Sequence, residues 1–529
     1  MSVLERGDLR RLTGVATFAA VAIAGVGGST CRQQPPLDSL RGDLVRALGP
    51  VPLGEARFLG FPPPESRPST WQRSRSSLQA VDARIEHERA RRASPMVMAD
   101  AGILDLASGR FAAAEAHFRA AAEKRGADAR PLAELGAFWL TQATRPGGHP
   151  EDVLLALEAL ETALGTAPRL PEAMFNQAVA LERLCLWHEA ESAWLHYLRL
   201  DPGSSWSAVA RARLATVREV LSTAVAERRD GRRHLLEILD AGGDGLTTAV
   251  ARRPDVARLY GLEQLLGAWG GARRRYQEPI ADRLLETARL LGGALVGAGG
   301  DPLLHDAVAA IDAASSGSPR RLDLLASGHF LVGEGLALEA AESYLEAARR
   351  FEEALPLLEQ ASTPFALFAY LHLGVCRYYG GNYQEALALL TAARERAGAG
   401  RYPAVAGYSY WMTGVIHFVR AELPLALADH QAACRRFRAL REPPHVAFVE
   451  SMIAGDLLRL GQADASWRHR FDALSGVPRL ADPRRIYTVL WSAAECLLND
   501  GRPAAAQRFL SELIDNLGAT ASPGVLAEA

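Results

Sequence analysis

The sequence predicts an all-α solenoid of stacked helix hairpins, and three observations predict it. From about Ser77 onward, Ala/Leu/Arg/Glu-rich segments of 12–18 residues alternate with short Gly, Pro or Asp punctuation, which is strong helix formers with turn residues between them. No stretch sustains the period-2 alternation of β-branched residues that a half-buried strand requires. Finally, the chain repeats itself. Pro168 and Pro202, Ala156 and Ala190, and Ala163 and Tyr197 are each 34 residues apart. Ala386, Ala426, Ser466 and Ala506 are each 40 apart, and Gly414, Ala454 and Ala494 keep the same spacing. A fixed period of this size marks a repeat architecture.

Composition narrows the function classes. The chain has 529 residues, 49% hydrophobic and 23% charged, an ordinary globular mix that argues against global disorder or a multi-span membrane protein. Lys+Arg is 59 against 61 for Asp+Glu, a formal charge of −2, so the basic excess of a nucleic-acid coat is missing. Lys124 is the only lysine, which excludes a P-loop, a Ser-x-x-Lys pair and a Schiff-base lysine. Cys31, Cys185, Cys376, Cys434 and Cys496 lie far apart without a CxxC, neither a zinc site nor a disulfide framework.

Taken in order, residues 1–31 join Arg6, Arg10 and Arg11 to an uncharged run from Leu12 to Gly28. That layout is a signal peptide or membrane anchor, with Ala22-Ile-Ala24 as a cleavage site and Cys31 as a lipidation site. The bland alternative is a buried helix, which Gly25, Gly27 and Gly28 weaken. The expected location is therefore exported or membrane-anchored rather than cytoplasmic. Residues 32–75, with Pro35-Pro36 and Pro62-Pro63-Pro64, read as a Pro-rich linker. Residues 76–216 form a first repeat block, 217–320 a helical connector without the repeat phrase, 321–515 a second block, and 516–529 a tail that opens an incomplete repeat.

Within the blocks the residue types explain the period. Two helices that cross closely need small residues at their contact, supplied by Leu135-Gly136 on a first helix and Ala156 on its second, while Pro168 stops that helix because it lacks an N–H donor. Ala178, Trp187, Ala190, Trp194 and Pro202 fill the matching positions of the next repeat, and Gly102, Gly109, Phe111, Ala114, Phe118 and Ala121 those of the one before. Repeat two carries about eight extra residues around Arg145–Pro150. In the second block Tyr370, Leu373-Gly374, Gly381, Tyr383, Ala386, Leu390 and Ala393 give the clearest unit. This is the tetratricopeptide signature, and seven repeats exceed the three a solenoid needs.

A wider likeness follows from EARFLGFPP (55–63), EAMFNQAVALERLCLWHEAESAWLHYLRLDP (172–202), STPFALFAYLHLGVCRYYGGNYQEAL (362–387) and SWRHRFDAL (466–474). In this order the phrases resemble the N-terminal half of bacterial proteins in which tetratricopeptide repeats precede a CHAT domain, a caspase-like peptidase. The domain that carries the catalytic His and Cys in such proteins has no counterpart here, so no catalytic residue is carried over. The resemblance implies a sensing or regulatory arm, with a CHAT-type peptidase supplied in trans.

Chemistry within the chain is sparse. His372 and Cys376, and His430 and Cys434, sit four residues apart and could share a helix face. A dyad also needs an oxyanion hole and an orienting group, and both cysteines are most simply packing residues. No HExxH, calcium loop or GxGxxG after a strand is present. The run Arg84 to Arg92 is interleaved with Glu86 and Glu88 and reads as a solvated helix face. A non-enzymatic scaffold without cofactor or metal is the expectation. First helices line the concave face of such solenoids, and there the second block would present Phe368, Leu371, Tyr378, Tyr379, Tyr408, Trp411, Phe418, Phe448 and Trp491. Exposed, these side chains form a groove for a protein or peptide partner; packed inward, they meet the connector or further C-terminal repeats. A membrane contact through the N-terminus and self-assembly through an unpaired C-terminal helix complete the expectations.

Overall fold

A computed structural model of the chain describes residues 39–49, 54–63, 75–92, 94–240, 245–398 and 400–518. Among them lie 24 α-helices, one π-helical and one 3₁₀ turn, and no strand. The first block stacks three hairpins: α3 (Pro95–Ala107) with α4 (Phe111–Glu123), α5 (Arg130–Thr144) with α6 (Asp152–Thr166), and α7 (Pro171–Arg183) with α8 (Trp187–Leu200). The second stacks five: α15 (Pro319–Ala340) with α16 (Tyr344–Gln360), α17 (Ala366–Tyr379) with α18 (Tyr383–Arg396), α19 (Pro403–Val419) with α20 (Leu423–Ala439), α21 (Pro443–Arg459) with α22 (Ala463–Gly476), and α23 (Pro483–Asn499) with α24 (Pro503–Leu517). The architecture is an all-α solenoid of the tetratricopeptide type.

One contact repeats down the stack and accounts for the hairpins. A Cβ added to Gly102 would meet the Phe118 ring at 2.9 Å, to Gly335 the Phe351 ring at 2.7 Å, to Gly374 Leu390 at 2.9 Å, and to Gly414 the His430 ring at 2.5 Å. In each pair the large residue follows the glycine by 16 positions. Gly136 meets Leu160 at 2.5 Å, 24 positions on, which is the eight-residue insertion read from the sequence. The hairpin tips turn through the left-handed region at Gly109, Cys185, Glu342, Gly381, Ala421, Gly461 and Gly501. Four of these seven are glycine, the residue with no Cβ penalty there.

Three elements depart from the expected organisation. α1 (Leu40–Leu48) and residues 54–63 were expected within a linker, yet Leu44, Leu48, Phe58 and Phe61 are buried in the first block. The reason is chemical: the prolines flank a segment whose apolar side chains and arginines find partners on α3, α5 and α7. The block boundary at 216 falls inside a single helix, α9 (Trp206–Asp240). The connector continues through α10 (Leu246–Arg252), α11 (Pro254–Leu259), a π-helical turn (Tyr260–Leu265), α12 (Leu266–Arg274), α13 (Glu278–Gly297) and α14 (Leu303–Ser315). Gly267 and Gly270 let α12 press directly onto the α15 backbone at Gly333, Ala326 and Phe330.

The apolar cores cut across the sequence blocks. One runs from Leu44 to Val217 and continues through Ala447 to Leu517, joining the first hairpins to the last two. The polar contacts agree. Arg508 pairs with Glu161 (2.5 Å) and with Glu189, and Arg502 lies 3.3 Å from Glu158. Glu512 accepts the His188 backbone N–H (3.2 Å) and faces its Nδ1 at 2.9 Å. The last hairpin therefore folds back onto hairpins two and three. Among the described residues no helix is long and apolar enough to cross a membrane. The signal or anchor segment, Cys31 and residues 519–529 of the expected tail lie outside the described residues, while Asn516 and Leu517, expected in that tail, close α24.

Candidate partner-binding faces

The first-block concave face holds a peptide-like strap, residues 54–63, which crosses α5, α7 and the start of α9. Arg57, Leu59 and Phe61 each bond to the block through their backbone, and between them the chain turns at Gly60, where the Phe61 N–H bonds back to the Phe58 carbonyl at 3.2 Å. The Asn176 carboxamide, on α7 and fully buried, accepts the Arg57 N–H at 2.7 Å and donates to the Arg57 carbonyl at 2.9 Å. Glu134 on α5 accepts the Leu59 N–H at 3.1 Å, and Arg41 donates to the Leu59 carbonyl at 2.9 Å. Trp206 Nε1 donates to the Phe61 carbonyl at 2.8 Å. Arg41 is fixed by Glu134 (2.7 Å) and Asp100; burial raises both carboxyls even with its guanidinium between them.

The strap's side chains enter prepared pockets. Arg57 donates to Asp201 (2.7 Å) and to the Tyr197 hydroxyl (2.5 Å), lies 3.6 Å from Glu172, and sits over the Tyr197 and Trp206 rings at 5.7 and 5.8 Å. Burial would raise the Asp201 carboxyl, but the Arg57 and Ser204 hydrogen bonds outweigh it and hold it below the ordinary value. Phe58 packs near the Phe118 ring, centroids 6.2 Å apart. Sequence reading missed this face. The signal was available in two phenylalanines and an arginine, within a stretch classed as a linker on its prolines alone.

The second-block concave face is filled by the connector. Arg258 on α11 reaches Glu442, at the cap of α21, with hydrogen bonds of 2.7 and 2.8 Å, and lies over the Tyr408 ring at 5.3 Å. Both ions are almost fully buried. Burial opposes the charge on Glu442, but Arg258 and then His445 override it and hold its pKa down at about 2. His445 Nε2 and the Tyr408 hydroxyl share a hydrogen bond of 2.6 Å. Across the mouth Arg484 on α23 reaches Glu342 at the α15–α16 tip, 2.6 Å.

This placement corrects part of the expected groove. Phe368, Leu371 and Phe448 are buried packing positions, because the connector and the neighbouring first helices cover them. Tyr408 lies beneath Arg258, and Trp411 is half-buried against Phe448 and Arg485. Tyr378, Tyr379, Phe418 and Trp491 keep exposed surface. Tyr379 is 56% exposed and stacks on Tyr344 at 4.1 Å; Trp491 stacks on Tyr487 at 5.7 Å. Tyr378, Phe418, Leu458 and Leu498 occupy one position of four successive hairpins, each 40 residues from the next. None of the four is buried, and Leu498 is half exposed. They draw an apolar line along the hairpin tips.

The two His–Cys pairs are held in other bonds. His372 Nδ1 faces Glu339 at 2.8 Å and His430 Nδ1 faces Asp456 at 2.7 Å. Burial pushes the Cys376 thiol up to about 12, and burial together with the Glu450 carboxylate raises Cys434 further. A nucleophilic cysteine needs the opposite shift. Among the described residues, two groups of side chains could offer a metal several ligands: Glu450, His469 and Asp472, and His149, Glu151 and Asp464. In the first, Glu450 already accepts from Cys434 (3.1 Å), His469 (2.5 Å) and Arg438. In the second, Asp464 of α22 meets the inserted loop of repeat two, one more tie between the blocks.

No family model matches the chain, and no curated protein matches it. Among solved structures, yeast Tom70 is 16% identical over 82% of this chain and 93% of its own, with a TM-score of 0.29. The APC/C hetero-tetramer Cut9–Hcn1 is 13% identical over 85% and 92%, TM-score 0.26. The TPR domain of P58(IPK) is 12% identical over 70% and 99%, TM-score 0.22. The repeat assignment follows from the chain's own helix contacts.

Proposed function

We propose that the protein is a non-enzymatic scaffold that binds a protein partner along the hairpin tips of the second block. The observation that carries this reading is the line Tyr378, Phe418, Leu458 and Leu498, flanked by exposed Tyr379 and Val419. Partly exposed apolar side chains at one repeat position, hairpin after hairpin, offer surface of the kind that marks interaction sites, Phe418 lying under the Arg459 guanidinium at 4.8 Å and Tyr378 against the Tyr383 ring. Aromatic anchors within it bury large area at low entropic cost. The test is partner capture with Phe418→Asp/Leu498→Asp. Far-UV circular dichroism checks that the variant is folded, since Phe418 is half-buried; a partner retained by the folded variant at wild-type level refutes the strip.

The finer reading is a sensing arm for a CHAT-type peptidase supplied in trans, anchored or exported through residues 1–31 with Cys31 as the lipid site. Support comes from the phrase order of the sequence and from thiols that are chemically quiet. Mixing purified protein with such a peptidase and measuring cleavage rate and complex formation decides the first part. Fractionation with mass analysis of the mature N-terminus decides the second. An intact Met1 in the soluble fraction removes export and anchoring.

A further inference from the structure

The strap in the first block is bound as a ligand would be, and its recognition chemistry can be read off directly. Five backbone bonds fall on Arg57, Leu59 and Phe61, and their partners come from four separate elements: Asn176, Glu134, Arg41 and Trp206. Bonds to main-chain groups fix register without selecting sequence. Selection comes from the Asp201, Tyr197 and Glu172 pocket around Arg57 and from the buried sites of Phe58 and Phe61. A planar guanidinium between a carboxylate, a hydroxyl and two aromatic rings is a site that lysine does not satisfy. Phe58 also packs near Phe118, the ring seated on Gly102, so the strap shares the core of α3–α4, whereas Gly136 on Leu160 closes α5–α6 from within that hairpin.

We infer that this face of the first block is a peptide site for segments that carry an arginine with phenylalanines one and four positions after it and turn at a glycine before the second phenylalanine, and that residues 54–63 occupy it as an exchangeable internal ligand. The partner it fits is a protein presenting an unstructured Arg-Phe-x-Gly-Phe segment, the glycine supplying the positive φ of the turn. A tethered ligand holds its site at an effective concentration on the order of millimolar, so the internal strap sets a threshold that an outside segment must exceed. The site lies wholly in the first block and stands or falls separately from the second-block strip.

The probe is a labelled peptide with the sequence of Glu55–Pro63, titrated into the full-length chain by fluorescence anisotropy. Arg57→Ala/Phe61→Ala weakens the strap and changes no residue on α3 to α9. Saturable binding to this variant, at least about tenfold tighter than to wild type as the loss of a tethered competitor requires, supports the inference. Binding should fall at least about tenfold when Asn176→Ala is added, which removes both bonds to the arginine's backbone, or when the peptide's arginine is replaced by lysine, which cannot lie flat against the Tyr197 and Trp206 rings. No binding to the folded variant, or binding indifferent to Asn176→Ala, overturns it. Hydrogen exchange on the wild-type chain decides the matter if the variant fails to fold. Excess peptide should speed exchange of the Arg57 and Leu59 amides, and an unchanged rate refutes exchange of the strap.

Discussion

Removing the Glu442 carboxylate should cost the second block about 3–5 kcal/mol. Two routes lead to that figure. Arg258 and Glu442 are almost fully buried, and removing one partner of a buried pair strands an uncompensated charge, at about 3–5 kcal/mol. Separately, the Glu442 pKa is held at about 2 against an ordinary 4.5, and at about 1.4 kcal/mol per pKa unit the folded state stabilises the carboxylate by about 3 kcal/mol. The sign sets the pH window. A depressed carboxyl contributes stability in full above its ordinary value of 4.5 and loses it as pH falls towards about 2. Urea unfolding of wild type, Glu442→Gln and Arg258→Met/Glu442→Gln, followed by far-UV circular dichroism, checks this. At neutral pH the single variant should lose the full amount and the double variant much less, because a buried pair replaced as a unit leaves no orphan charge. The gap between wild type and Glu442→Gln should narrow as pH approaches the Glu442 value. A single variant within about 1 kcal/mol of wild type, or a double variant as unstable as the single, refutes the reasoning.

Three further outcomes are expected. Gly136→Ala drives a methyl into Leu160 and the Ala156 carbonyl, and should destabilise by about 1–3 kcal/mol in urea melts. Ala421→Gly should stabilise by roughly 0.5–1 kcal/mol, because Ala421 holds φ at 60°, where a Cβ is strained and glycine is not; an unchanged melting temperature contradicts this. Cys376 and Cys434 should resist alkylation at neutral pH in the folded chain and react on denaturation, their thiols being buried and held protonated; mass spectrometry of the two states gives the answer.

The hairpins were legible in the sequence because each rests on a local rule. Glycine faces a large residue 16 positions later, and this recurs at Gly102, Gly335, Gly374 and Gly414. The inserted loop before α6 was visible as a break in that register. What was not legible depends on distance along the chain. Arg258 and Glu442 are 184 residues apart, and His188 and Glu512 are 324 apart. No period links them, so the filled second-block groove and the return of the last hairpin had no sequence signature. The strap failed for a different reason. Pro62 and Pro63 advertise an extended backbone, and an extended backbone is equally a linker or a bound peptide; only Asn176, 119 residues later, distinguishes them.

The return of α24 onto hairpins two and three changes how such a stack must come apart. In an open solenoid each repeat leans only on its neighbours, so the last one is the weakest and melts first. Here the outer surface of the final hairpin is covered by the chain's own beginning through Arg508, Arg502 and Glu512. A loose end has become a shared seam. Opening it exposes apolar surface on both sides at once, so the C-terminal hairpin and the first block gain or lose structure together. Stability measured at one end of the molecule then reports on a sequence more than 300 residues away.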